Sequence, residues 1–323
     1  MITIEEISIK KVKTEWLALQ NGIKTLSPFQ EYEFNRILVK QYLFLPKGLK
    51  PRFFIFKEDG KTICIAPMCE DLKAKERTLM TLGSKPEVAI QDWLYDESIT
   101  VEKLKECIQM LQAKYHHLVF RRVSKGTVLF SALKSISDPV STHKNVLFKT
   151  PDTYSDWYGS LSKNMKQTMR TMYNRIASDN IKYELVIKKG SEISKEQYAE
   201  LMSLIAKRRM KRYGYGQLLA FYIKHVNYHT IALRKMNNSL FFIIKMNDEL
   251  AAFHAGYVYK DGKRFLFPHG AMNDKFAFYS PGDLLFSYLN RASRSDGSRR
   301  FYPCRNLNHR AFTSNRYGNQ NEA

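Results

Sequence analysis

The pattern of apolar and polar positions divides the chain into helix-like and strand-like segments. MITIEEISIKK predicts an opening strand, and the aromatic-rich SPFQEYEFNRILVKQY a helix or a helix pair. In PRFFIFKEDGKTICIAPMCE two β-rich runs flank Glu58-Asp59-Gly60-Lys61, and Asp-Gly is a strong hairpin signal. VEKLKECIQMLQAKY, residues 101–115, sets Leu104, Cys107, Ile108 and Leu111 at helical spacing, and HLVFRRV then predicts a strand. TPDTYSDW is polar and rich in turn formers, which places a domain boundary near residue 150 and divides the chain into 1–150 and 151–323.

The second part opens with SLSKNMKQTMRTMYNRIASDN. Ser162 can cap a helix whose Met165, Met169, Met172 and Ile176 form one apolar stripe, with Lys163, Lys166, Arg170 and Arg175 on its other faces. IKYELVIKKG predicts a strand, and KEQYAELMSLIAKRRMKRYGYG a second basic helix that ends in glycines. Asn247-Asp248-Glu249 and Asp261-Gly262 join three strands of a meander between Ser239 and Met272. A helix follows in YSPGDLLFSYLNRASRSDG, with Leu284, Leu285, Tyr288, Leu289 and Ala292 at helical spacing, and RRFYPC predicts a last strand. Helices, then a meander, then a crossover helix and another strand predict an α+β domain with a mixed sheet.

Composition narrows the partners more than the fold. At 323 residues, 44% hydrophobic and 13% aromatic, the chain can fill two packed cores. Its longest apolar runs, such as LFFII at 240–244, are too short for a bilayer. The acid-bearing N-terminus is not the pattern of a signal peptide. Cys64, Cys69, Cys107 and Cys304 have neither C-x-x-C nor zinc-ligand spacing, so they are expected to be reduced thiols of a cytoplasmic protein that uses no metal. The net charge of +21 favours polyanions: nucleic acid, an acidic surface or a phosphorylated cofactor. Thirteen Lys/Arg against five acids lie in residues 161–216, and seven arginines against two acids in 291–323. A solvated basic surface explains such charge equally well.

The entrance Ser280-Pro281-Gly282 is the most pointed feature. A helix start after a strand presents bare N–H groups and the positive end of the helix dipole, which suit a phosphate. Pro281 gives up only an N–H with no intrahelical partner, Gly282 permits close approach, and Asp283 opposes an anion. A simple turn is the competing reading.

The pieces LSKNMKQTMRTMYNRI, LMSLIAKRRMKRYGYG, NDELAAFHAGYVYKDGKRFLFPHGAMNDKFAFYSPGDLLFSYLNRAS and the strand after Gly297 resemble the C-terminal half of the CelD-type acyltransferases, a branch of the GNAT superfamily. SPFQEYEF and TLGSKPEVAIQDW resemble that family's N-terminal domain, so the likeness spans most of residues 25–305. It implies two GNAT-like domains, each a mixed, mostly antiparallel sheet flanked by helices, the first degenerate. Acetyl-CoA or another acyl-CoA would then meet Ser280, Pro281, Gly282, Asp283 and Leu284 through its pyrophosphate. Backbone N–H groups of the strand Arg264–Ala271, around Phe267 and His269, would hold the pantetheine arm and thioester oxygen. The likeness has departures. Gly282 is the one glycine of a usually glycine-richer loop, Tyr302-Pro303 and Asn306 replace an early aspartate and a Gly-containing turn, and only NLNHRAFTSNRYGNQNEA follows. The second domain is therefore expected to be truncated or altered at its end.

His254 is read either as the general base that takes the amine proton or as a histidine satisfied by a neighbouring group. His269 carries the same pair of readings. Tyr279 is a candidate acid for the leaving thiolate, or packing beside Phe276 and Phe278. Arg209, Arg212 and Tyr215 are the best acceptor-binding candidates, because arginine grips carboxylates and phosphates bidentately; a solvated helix face is the alternative. Three functions stay open. The first is acyl transfer to a small-molecule or glycan-precursor amine, such as an amino sugar bound for surface polysaccharide. The second is aminoacyl transfer from tRNA of the peptidoglycan cross-bridge type, and the third a non-catalytic basic binding module.

Overall fold

The computed structural model describes residues 1–42, 48–84, 88, 90–139, 146–147, 153–221, 227–262, 265–292 and 303–305. The chain divides into two compact units, Met1–His143 with Leu219–Ala232, and Lys144–Leu218 with Leu233–Ala323.

The first unit contains β1 (Ile2–Ile7), α1 (Lys13–Gly22), α2 (Tyr32–Gln41), β2 (Leu49–Glu58), β3 (Lys61–Asp71), β4 (Thr78–Thr81), β5 (Leu94–Tyr95), α3 (Val101–Gln112), β6 (His117–Val119) and α4 (Val128–Lys134). Its sheet runs β1-β2-β3-β4-β6, with β5 paired to β3. All pairings are antiparallel except β4 with β6. The β2–β3 hairpin turns through Asp59 at φ 50° and Gly60 at φ 81°, the left-handed pair that Asp-Gly favours. Alternation along β2 serves both faces of the sheet. Phe54 and Phe56 join the core that buries Leu104, Cys107, Ile108 and Leu111 of α3, whereas Phe53 meets Trp16 of α1 edge-on at 6.1 Å.

The second unit contains β7 (Val146–Leu147), α5 (Tyr154–Ser160), α6 (Lys163–Ser178), β8 (Tyr183–Lys189), α7 (Lys195–Phe221) as far as Leu218, α8 (Asn227–Lys235) from Leu233, β9 (Ser239–Met246), β10 (Glu249–Val258), β11 (Phe265–Met272), α9 (Pro281–Ala292) and β12 (Pro303–Arg305); the rest of α7 and α8 belongs to the first unit. The sheet order is β7-β12-β11-β10-β9-β8, and β11 pairs with β12 in parallel across the α9 crossover. Ser162 caps α6 by accepting from the N–H of Met165 at 3.3 Å, and Met169, Met172 and Ile176 are buried. They pack with Phe242, Ile244, Phe265, Leu284 and Leu285 on one face of the sheet. The other face meets α7, where Tyr198 lies edge-on to Phe241 at 6.2 Å.

The basic helix ends at its glycines as expected: Gly214, at φ 76° and ψ 172°, is not helical and separates the basic part of α7 from a second helical stretch that runs to Phe221. Cys64, Cys69 and Cys107 are buried free thiols. No described helix is long and apolar enough to cross a membrane. Among the described residues no group of His, Cys, Asp and Glu is placed to hold a metal.

Candidate active site

The site is built on β10, β11 and the turn into α9. Register pairs His254 with both Phe242 of β9 and Gly270 of β11, so His254 shares the face covered by α6 and α9. Ala255 pairs with Phe241 and His269, so His269 lies on the opposite face, towards α7. The two histidines are therefore not brought together. Between Ala255 and Tyr257 the register with β11 slips by one residue, because three steps on β11 (His269 to Leu266) oppose two on β10. The extra residue sits at Phe267-Pro268, where proline has no N–H for the ladder. As a result Phe265 and Gly270, five residues apart, end up on one face. Both histidines are half-buried, and His254 Nδ1 and His269 Nε2 are shielded from solvent.

After β11, Asn273 turns the chain. Its N–H donates to Ala251 O at 2.8 Å, and its side-chain oxygen caps a 3-10 helix, Asp274–Tyr279, by accepting from Lys275 N at 3.1 Å. This short helix ends in Ser280 at φ 48° and ψ 54°, a left-handed conformation that favours glycine or asparagine over serine. The Ser280 carbonyl accepts from the N–H groups of Asp283 (3.0 Å) and Leu284 (3.1 Å). Pro281 is buried and has no N–H, so Gly282 supplies the remaining first-turn donor of α9.

The C-terminal half of α6 holds this turn. Arg175 Nη1 donates to Phe278 O at 2.9 Å, and its guanidinium lies 4.1 Å from the centre of the Phe278 ring. Tyr279 OH donates to Asp179 Oδ2 at 2.7 Å, which raises the phenol's pKa above its ordinary value. That hydrogen bond directs the Tyr279 hydroxyl to the end of α6. Arg175 and Asp179 escaped the sequence reading as parts of the site because their partners lie about a hundred residues away. Arg175→Ala is expected to speed amide exchange across residues 276–285 severalfold while residues 240–246 stay protected; uniform protection would show that α6 does not hold the turn.

Lys211 Nζ meets Asp274 Oδ2 at 2.8 Å and ties the basic end of α7 to the 3-10 helix. Arg209 is half-buried and continues at helical spacing the sheet-facing stripe of Tyr198, Leu201 and Ile205. Arg212 and Tyr215 are exposed, Tyr215 at 75%. The side chain of Phe267 and the residues after Arg305 lie outside the described residues, as do Tyr302, Asn306 and the Asn-rich end.

These groups fit one phosphoryl contact rather than a deep cradle. A bare N–H at Gly282, the positive end of α9 and the nearby Arg175 favour an anion, whereas Asp283 opposes it. Past the ends of β4 and β6, Gln91 N donates to Arg122 O at 3.1 Å and Arg122 Nη1 to Val88 O at 3.3 Å. Trp93, fully buried there, packs against Phe56 at 5.9 Å and Phe120 at 5.6 Å.

No curated protein matches the sequence. Among solved structures, FemX aligns with a TM-score of 0.54 at 11% identity, over 96% of this chain and 92% of that one. L-PGS from Bacillus licheniformis aligns with a TM-score of 0.50 at 16% identity, over 90% of this chain and 74% of that one. Residues 163–309, from α6 past β12, match the family described as acetyltransferase (GNAT) domain. The chain is thus an α+β protein of two compact units that shares the fold of FemX, with the acetyltransferase (GNAT) domain match in the second unit.

Proposed function

We propose that the protein is an acyl-CoA-dependent N-acyltransferase of CelD-like type whose second domain, residues 151–323, carries the donor site and whose first, residues 1–150, is a degenerate copy. The observation that carries this reading is the family match over residues 163–309, which spans the path from β11 through the left-handed Ser280 and α9 to the parallel β12. The acceptor is an amine on a small molecule or glycan precursor, and the acyl group is acetyl.

When bound, acyl-CoA supplies an activated thioester. In this reading Gly282 N–H and the α9 dipole bind its diphosphate, and the backbone around Phe267 and His269 steadies the carbonyl oxygen. His254 accepts the proton that the amine nitrogen loses as its bond to the acyl carbon forms and the carbon–sulfur bond breaks. Tyr279 is the candidate proton source for the departing sulfur only if its hydroxyl leaves Asp179, to which it donates here. Arg209, Arg212 and Tyr215 belong to α7, on the sheet face opposite His254, so they do not hold an acceptor whose amine reaches that base; placement of the two reactants contributes much of the rate. Acetyl-CoA at a hundredfold over its Kd is expected to stabilise the protein by about 2.7 kcal/mol, seen as a rise in Tm of several degrees. An unchanged Tm at millimolar acetyl-CoA would remove this reading.

The net charge of +21 favours a second reading, in which the donor is aminoacyl-tRNA. It requires filter retention of tRNA at low salt that falls steeply as salt rises, and it fails if none is retained.

A further inference from the structure

The pairing of His254 with Gly270 places an imidazole directly against a residue that has no side chain. A methyl group added at Gly270 would stand 2.4 Å from His254 Nδ1, 2.7 Å from its Cε1 and 3.1 Å from Phe253 O. Real Cβ atoms do not approach ring atoms that closely, and the strand backbone beside them cannot give way as a flexible side chain can. The ring therefore lies in the slot that a missing side chain leaves on β11. The one-residue slip at Phe267-Pro268 brings Gly270 to this face, since unbroken alternation from Phe265 would turn it to the other.

We infer that Gly270 is a positioning residue for the proposed acyl transfer, the gap in β11 that seats the His254 imidazole against the strand expected to receive the thioester. The inference rests on the reading of His254 as base given above. It makes the bulge and the glycine one device: the bulge sets which residue faces the imidazole, and the glycine leaves room for it. His269, one residue earlier, is on the other face and cannot substitute for that base.

The test uses the full chain, with thiol release from acetyl-CoA in the presence of glucosamine as the rate and the His254 Cε1–H resonance as a direct report on the ring. Gly270→Ala is expected to lower kcat about a hundredfold, to leave the KM for acetyl-CoA within about twofold, and to move the His254 resonance. His254→Gln is expected to lower kcat by a similar factor. A Gly270→Ala protein with an unmoved resonance, or with wild-type kcat, overturns the inference. If His254→Gln keeps wild-type kcat, or the wild-type chain releases no thiol, the base reading itself falls and takes the catalytic role of Gly270 with it. An unmoved resonance, by contrast, removes only the inference. Should Gly270→Ala fail to fold, the double variant with His254→Ala must restore the fold, because the clash is with the ring; failure to restore it also overturns the inference.

Discussion

Glutamate at position 282 is expected to weaken CoA binding by roughly a hundredfold while the protein stays folded. The two halves of that outcome have separate causes. An acid in the first turn of a helix interacts favourably with the dipole and adds a few tenths of a kcal/mol to about 1 kcal/mol of helix stability, so α9 should not suffer. A diphosphate, however, would meet a second carboxylate beside Asp283, next to the one first-turn N–H of α9 that the Ser280 carbonyl and Pro281 leave available. Two unit charges about 4 Å apart at an effective dielectric of about 20 repel by about 4 kcal/mol. Salt and solvent reduce this, and roughly 2.7 kcal/mol of lost binding corresponds to a hundredfold. Asp283→Asn should act in the opposite direction and tighten CoA binding severalfold. Titration calorimetry with CoA on both variants decides the matter, with pantetheine as a control that lacks the diphosphate and should not distinguish them. Equal CoA affinity for wild type and Gly282→Glu would mean that no phosphate docks at α9.

What the sequence revealed and what it concealed differ by the range of the interaction involved. Asp59-Gly60 announced its turn because a left-handed pair is a local demand that few residues meet, and Ser162 announced its helix because a cap acts within three residues. The stripe Leu104, Cys107, Ile108, Leu111 was equally plain, all four being buried. Helix α1 went unread: Val12 precedes it with no side-chain cap, and it buries only Trp16 and Leu19. Strand β4, four residues long, holds its place through β3 and β6, and no local pattern marks it. In the site, attention went to Gly282, whereas the left-handed residue is Ser280; a serine with positive φ is held there by its surroundings. The clamp from Arg175 and Asp179 and the seat of His254 on Gly270 depend on register and on partners distant in sequence. A slip of one residue at Phe267-Pro268 decides which face Gly270 occupies, and no periodicity in FLFPHGAM reports it.

Stability of the first unit should depend on pH through Asp92 in the direction opposite to that of an ordinary surface carboxylate. Asp92 Oδ1 accepts from Trp93 N at 2.9 Å and Oδ2 from Tyr95 OH at 3.0 Å. Burial nevertheless outweighs both bonds and pushes its carboxyl up to about 7 from an ordinary 3.8. Burial also raises the Tyr95 phenol and the neighbouring Cys64 thiol, while Cys107 is pushed up to about 12, so all three stay neutral around Asp92. Because the folded state holds the Asp92 proton more tightly than the unfolded chain, folding takes up a proton between about pH 4 and 7. This contribution is therefore fully favourable below about pH 4, declines as pH rises through that window, and is gone above about pH 7. At about 1.4 kcal/mol per pH unit, ionised Asp92 costs up to about 4 kcal/mol at pH 8. Asp92→Asn keeps one oxygen to accept from Trp93 N, turns its amide NH2 to donate to the Tyr95 oxygen, and carries no charge. It is expected to be about 2 kcal/mol or more stabler than wild type at pH 8, with the advantage vanishing near pH 4. Urea unfolding of both proteins across this range measures the difference directly, and other titrating groups cancel between them. An Asp92→Asn protein that is less stable at pH 8, or one whose difference from wild type does not change with pH, would show that the carboxyl stays ionised in the fold and that its two hydrogen bonds outweigh burial.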